Sequence, residues 1–141
     1  MGHQTETHGD WDATLVPDAR GRTDRPLPHC PVEIALAAVS GRWTTLVLRE
    51  LMHGPHSFTA LRERLPALGA KVLSERLREL AGRGLVVREE QRGFPVRTRY
   101  RLTARGEALR PLLVELYRTG AALSVPPSVP PPVPPSVPPR A

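Results

Sequence analysis

The sequence is poor in several things at once. Among its 141 residues there is one cysteine, Cys30, and there are only two each of Phe, Trp and Tyr. A lone thiol excludes an intrachain disulfide framework and a four-cysteine zinc site. With so few aromatics, any core must be built mainly from Leu, Val and Ala. Lysine is nearly missing too: Lys71 is the only one, and the other basic side chains are arginine. No stretch approaches the roughly 18 apolar residues of a membrane-spanning helix. The opening MGHQTETHGD has no apolar run to act as a signal peptide. The expected compartment is the reducing cytoplasm.

Catalytic signatures are absent as well. There is no glycine-rich phosphate loop and no nucleophile elbow, and neither Ser40-Gly41 nor Ser124 lies in a hydrolytic setting. His3, His8, His29, His53 and His56 show no metal-ligand spacing. His29-Cys30 supplies two ligands at most, with no partners in sequence. The sequence predicts no enzyme, no metal and no cofactor, and no motif identifies an effector.

What the chain does have is positive charge. The formal net charge is +6 and the isoelectric point about 10.9. Residues 1–29 hold five acids and three arginines, a net −2, whereas residues 30–123 hold sixteen basic and nine acidic residues, a net +7. Guanidinium forks match phosphates and the guanine edge, which points to a nucleic-acid partner. A GC-rich genome also favours arginine codons, so composition alone leaves the partner open.

Residues 1–28 lack hydrophobic periodicity and read as a disordered arm. Residues 124–141 carry nine of the seventeen prolines in a near four-residue repeat. They read as a disordered polyproline II tail, either solvated or serving as a PxxP-type ligand. Between them, residues 29–123 form the expected domain. PVEIALAAV (31–39) and WTTLVLRELM (43–52) have apolar residues at helical spacing, with Pro31 suited to a first turn and Gly54-Pro55 to a stop. Ser57 is placed to cap a helix at 58–65, which Pro66 breaks. A further helix spans 70–81, closed by Gly82 and Gly84. The period then changes to two, giving strands at 85–91 and 97–103 around Arg92-Gly93-Phe94-Pro95. Thr103 caps a last helix at 104–122, in which Pro111 predicts a kink. The fold class is mainly α with a small β-hairpin, in winged helix-turn-helix order.

Two constellations carry chemistry. In the helix at 70–81, Leu73, Leu77 and Leu80 form one stripe, since successive residues turn by about 100°. Lys71, Ser74, Glu75 and Arg78 spread over the opposite face, as in a helix that enters a major groove. An ordinary solvated amphipathic helix has the same pattern. In the hairpin, Arg92, Arg97 and Arg99 are placed to follow phosphates or reach a minor groove. The other reading is an edge strand protected by charge. The two features in succession favour DNA. Cys30 precedes Pro31 at a helix N-terminus, where the dipole favours a thiolate. It is a candidate redox or electrophile sensor, or a plain half-buried thiol.

Cys30-Pro31-Val32-Glu33 and Gly41-Arg42-Trp43-Thr44 resemble the opening pattern of the HxlR-type regulators. Leu48-Arg49-Glu50-Leu51, Gly54-Pro55, Phe58 and Leu61-Arg62 continue the resemblance. So do Leu73 to Leu80, Gly84-Leu85-Val86, Pro95, Tyr100, Leu102 and Thr103. It covers roughly residues 30–120. The resemblance implies a bacterial winged helix factor that binds double-stranded DNA at a pseudo-palindromic operator, most often as a repressor. It also implies a homodimer through the N- and C-terminal helices, here 31–39 and 104–122, and a sensor role for a cysteine at the position of Cys30. Two departures stand out. Gly69 replaces a frequent Ser before the recognition helix, and Thr98-Arg99 replaces Val-Glu in the wing strand, which strengthens backbone attraction. The alternative function is a winged helix protein-interaction module that recruits partners through its proline-rich tail. A third reading is a domain that coats DNA without specificity.

Overall fold

A computed structural model of the chain describes residues 10–126. The first nine residues of the expected arm, and the expected tail beyond residue 126, lie outside the described residues. Residues 10–28 run through turns and a short 3-10 helix, Ala19–Gly21, capped by the Asp18 carboxylate. The ordered elements that follow are α1 (Pro31–Ala38), α2 (Thr44–Met52), α3 (Phe58–Arg64) and α4 (Ala70–Gly82). A hairpin, β1 (Val86–Gln91) and β2 (Arg97–Leu102), comes next. Two helices, α5 (Ala104–Glu107) and α6 (Arg110–Leu123), end the described chain.

Local chemistry sets most of the boundaries. Pro31 opens α1, where its missing N–H costs nothing. The Ser57 hydroxyl accepts from the Ala60 N–H at 3.0 Å and starts α3. Gly84, at φ +76°, ends α4 by letting the Leu85 N–H reach back to the Leu80 carbonyl at 3.0 Å. The helix expected over 104–122 is two helices. Pro111 has no N–H to give an earlier carbonyl, so it sits in the first turn of a new helix instead of kinking an old one. Thr103 caps α5 through the Gly106 N–H at 3.1 Å and donates its hydroxyl to the Gly84 carbonyl at 2.6 Å. This ties the end of α4 to the start of α5.

The core is leucine-rich, as the shortage of aromatics requires. Val47, Leu48 and Leu51 of α2 meet Leu61 of α3 and the Leu73–Leu77–Leu80 stripe of α4. Leu85, Val86 and Leu102 close the cluster from the base of the hairpin. The strands pair antiparallel from Val86↔Leu102 to Gln91↔Arg97. A further bridge lies outside the expected hairpin: His56 and Tyr100 exchange backbone hydrogen bonds of 3.0 and 2.8 Å. The loop before α3 is thereby fixed to β2, and helix-turn-helix and hairpin become one body.

Glu50 joins α2 to α3 from inside. Its side chain is almost wholly buried, and Arg64 and Arg49 both donate to its carboxylate, Arg49 at 2.9 Å. Burial alone pushes this carboxyl up, but the hydrogen bonds from Arg64 and then Arg49 outweigh it and hold the group below the usual glutamate value. A carboxyl whose folded pKa is depressed stabilises fully above its unfolded pKa. That stabilisation is lost as pH falls through the folded value. Arg64→Ala is therefore expected to cost about 1 kcal/mol at neutral pH, because both guanidiniums are half in water. It should also move the onset of acid unfolding to higher pH. Circular dichroism against pH checks this; an unmoved acid limb would remove the Arg64–Glu50 pair from the account.

Candidate nucleic-acid interface

The leucine stripe fixes which side of α4 faces water. Leu73, Leu77 and Leu80 are buried, so Lys71, Ser74 and Arg78 emerge exposed on the other side, with Glu75 half-buried beside them. These are the four residues the sequence singles out, and the structure brings them together on one helix face. Arg76, on the flank, has a different task. Its Nε donates to the Arg42 carbonyl at 2.7 Å, and its guanidinium meets Glu79 at 3.2 Å. Arg83 likewise donates to the carbonyls of Ala38 and Ser40, both at 3.1 Å. Two arginines thus clamp α4 against the end of α1 and the turn that leads into α2. Sequence patterning cannot separate them from surface charge, because their acceptors are backbone carbonyls more than thirty positions away.

The hairpin follows α4 after a short turn. Arg97, Arg99 and Arg101 alternate with Thr98, Tyr100 and Leu102, so the three arginines share a face. That face also holds Glu89, directly opposite Arg99. Arg101 donates to the Glu89 carboxylate at 2.5 Å, and Arg99 lies 3.6 Å from its other oxygen. The hydrogen bond from Arg101 holds the Glu89 carboxyl below its usual value, aided by the charges of Arg101 and Arg99. Like charges on one strand face repel, and here that repulsion is relieved internally at Arg99 and Arg101. Arg99 is half-buried and lies near Glu89, with its Nε making no hydrogen bond among the described residues, whereas Arg92 and Arg97 are exposed at the far end with no ion pair among the described residues. Sequence patterning alone does not reveal this pair, because a turn over Arg92–Pro95 leaves the register one residue open; the observed pairing Gln91↔Arg97 fixes it.

Cys30 belongs to another element. It is the N-cap of α1, 6% exposed, with a free thiol. Among the described residues no group of three His, Cys, Asp or Glu could hold a metal ion, and no helix is long and apolar enough to cross a membrane.

Comparison with known proteins bears on the helix and the hairpin together. The chain is 42% identical over 88 residues to the HTH-type transcriptional regulator YvaP of Bacillus subtilis, covering 62% of this chain and 82% of YvaP. Its fold matches the reduced form of the transcriptional regulator YodB of B. subtilis with a TM-score of 0.62 and 33% identity, over 71% of this chain and 98% of YodB. It also matches the redox regulator HypR in its reduced form, with a TM-score of 0.61 and 29% identity, over 65% of this chain and 91% of HypR. The profile described as HxlR-like helix-turn-helix matches residues 38–126. That match runs unbroken through the clamped helix and the paired arginines of the hairpin, and it places the chain in the HxlR-like helix-turn-helix family.

Proposed function

We propose that the chain is a homodimeric transcriptional regulator that binds a pseudo-palindromic operator and represses from it. The observation that carries this reading is the pairing of an exposed Lys71–Ser74–Arg78 face on α4 with a hairpin whose free charges, Arg92 and Arg97, lie at its tip. A helix of this kind supplies base contacts in the major groove, and the hairpin supplies phosphate contacts beside it. Arg99, 3.6 Å from Glu89 and with its Nε unsatisfied, adds a further phosphate contact beside Arg92 and Arg97. A second copy accounts for the apolar residues that the monomer leaves uncovered. Val32, Ile34 and Leu36 of α1 are exposed, as are Val114, Leu116 and Tyr117 of α6. Neither helix buries a residue fully. A twofold pairing through them would present two α4 helices to successive turns of one duplex face.

The experiment is a salt series of DNA-binding titrations on parent, Lys71→Ala and Arg97→Ala chains. Arg97→Ala is expected to weaken binding to all sequences and flatten the salt slope by about one unit. Lys71→Ala is expected to cost about 1–3 kcal/mol on the preferred duplex and much less on random DNA. An unchanged slope would take Arg97 out of the interface. Equal losses on both duplexes would make Lys71 a phosphate contact only.

A further inference from the structure

The apex of the hairpin runs Arg92-Gly93-Phe94-Pro95-Val96 between the two strands. Phe94 is 103% exposed, so its ring packs on nothing in the chain, and Val96 is exposed beside it. Gly93, at φ +147°, and a cis Phe94–Pro95 peptide bond shape the turn, and the closing pair is Gln91↔Arg97. An uncovered phenyl ring is among the largest apolar surfaces a side chain can leave in water.

The charges around it say what covers it. The nearest acids are already taken: Glu89 by Arg101 and Arg99, and Glu90 by Arg88 at 3.5 Å. Arg92 and Arg97, on either side of Phe94 in sequence, have no ion pair among the described residues. An exposed apolar ring in a short turn that also carries two free arginines fits a partner with an apolar surface between two anionic walls. Duplex DNA offers such a partner at its minor groove, about 6 Å wide and walled by phosphates: the floor is polar base edges, but a step that unstacks opens apolar base faces between the walls. A protein groove would have to pair and desolvate both guanidiniums around the same ring, which is a costly burial.

We propose that Phe94 is a wedge that enters the minor groove and inserts between two base pairs, with Arg92 and Arg97 on the phosphates to either side. The proposal rests on the DNA-binding reading above and adds a second source of specificity. Pyrimidine–purine steps unstack most easily. Phe94 therefore selects a TA or CA/TG step by deformability, at a fixed distance from the bases under α4, with no hydrogen bond to a base edge.

The test is selection from a randomised duplex pool with the full parent chain, Phe94→Ala and Phe94→Trp. The ring supports nothing in the fold, so both variants are expected to keep the parent's circular dichroism and melting temperature. The parent and Phe94→Trp should enrich a half-site together with a flanking pyrimidine–purine step. Phe94→Ala should enrich the half-site alone and bind the step-bearing duplex about tenfold or more weakly. An A-tract at the same position should narrow that gap. A 2-aminopurine placed at the step should brighten on binding the parent and stay dark with Phe94→Ala. If parent and Phe94→Ala enrich the same step, the wedge is wrong and the recognition-helix reading survives. If the parent enriches nothing at all, the DNA-binding reading fails and the wedge fails with it.

Discussion

Leu73→Ala is expected to remove about 2–5 kcal/mol of stability, a large share of the roughly 5–15 kcal/mol that holds a domain of this size. Leu73 has no exposed surface and lies in the core cluster where α4 packs on α2. The truncation removes buried methyls and leaves a cavity that two clamped helices cannot easily collapse into. Arg76 and Arg83 pin α4 to the turn before α2 and to the end of α1, so the helix is not free to sink. The loss should appear as a fall in the urea midpoint with an unchanged slope. DNA affinity should fall with the folded fraction and recover on cooling toward the temperature of maximum stability. A midpoint equal to the parent's would mean that the leucine stripe does not anchor α4. The outward direction of Lys71, Ser74 and Arg78 would then lose its basis.

The second large effect is expected from Leu116→Asp combined with Tyr117→Asp. Both side chains are exposed on α6, Tyr117 at 80%, so the substitutions remove nothing from the monomer's core. In a homodimer built on α1 and α6 they would set charges against an apolar partner face. Sedimentation should show a folded monomer where the parent is a dimer. Affinity for a two-half-site duplex should fall by about a hundredfold or more, because the second half-site contact is no longer intramolecular. Affinity for a single half-site should barely change. A variant that stays dimeric, or that binds the full site as the parent does, would place the interface elsewhere.

The features read best from sequence were those set by short periods and by punctuation. Ser57, Gly84 and Thr103 act locally, and the stripe Leu73, Leu77, Leu80 follows from helical geometry alone. The features that escaped depend on partners distant in the chain. The His56–Tyr100 bridge uses only backbone groups, so no side-chain pattern announces it. Arg76 and Arg83 look like any surface arginine until their carbonyl acceptors are known. Trp43 enters α2 at φ +77°, a conformation costing on the order of 1 kcal/mol for a bulky residue. Packing of its indole against the core holds it there, and propensity rules would have assigned a glycine. In the candidate interface, the face of α4 was legible. The division of the wing arginines into paired and free was not, because the turn leaves the hairpin register one residue open.

The most direct test of the central claim is a fluorescence anisotropy titration at physiological salt. The full chain is titrated onto the duplex it enriches from a randomised pool and onto a scrambled duplex of the same composition. A sequence-specific dimeric regulator is expected to prefer the enriched duplex by about a thousandfold or more. Equal affinity for the two would contradict it and leave a basic domain that holds DNA only by its phosphates.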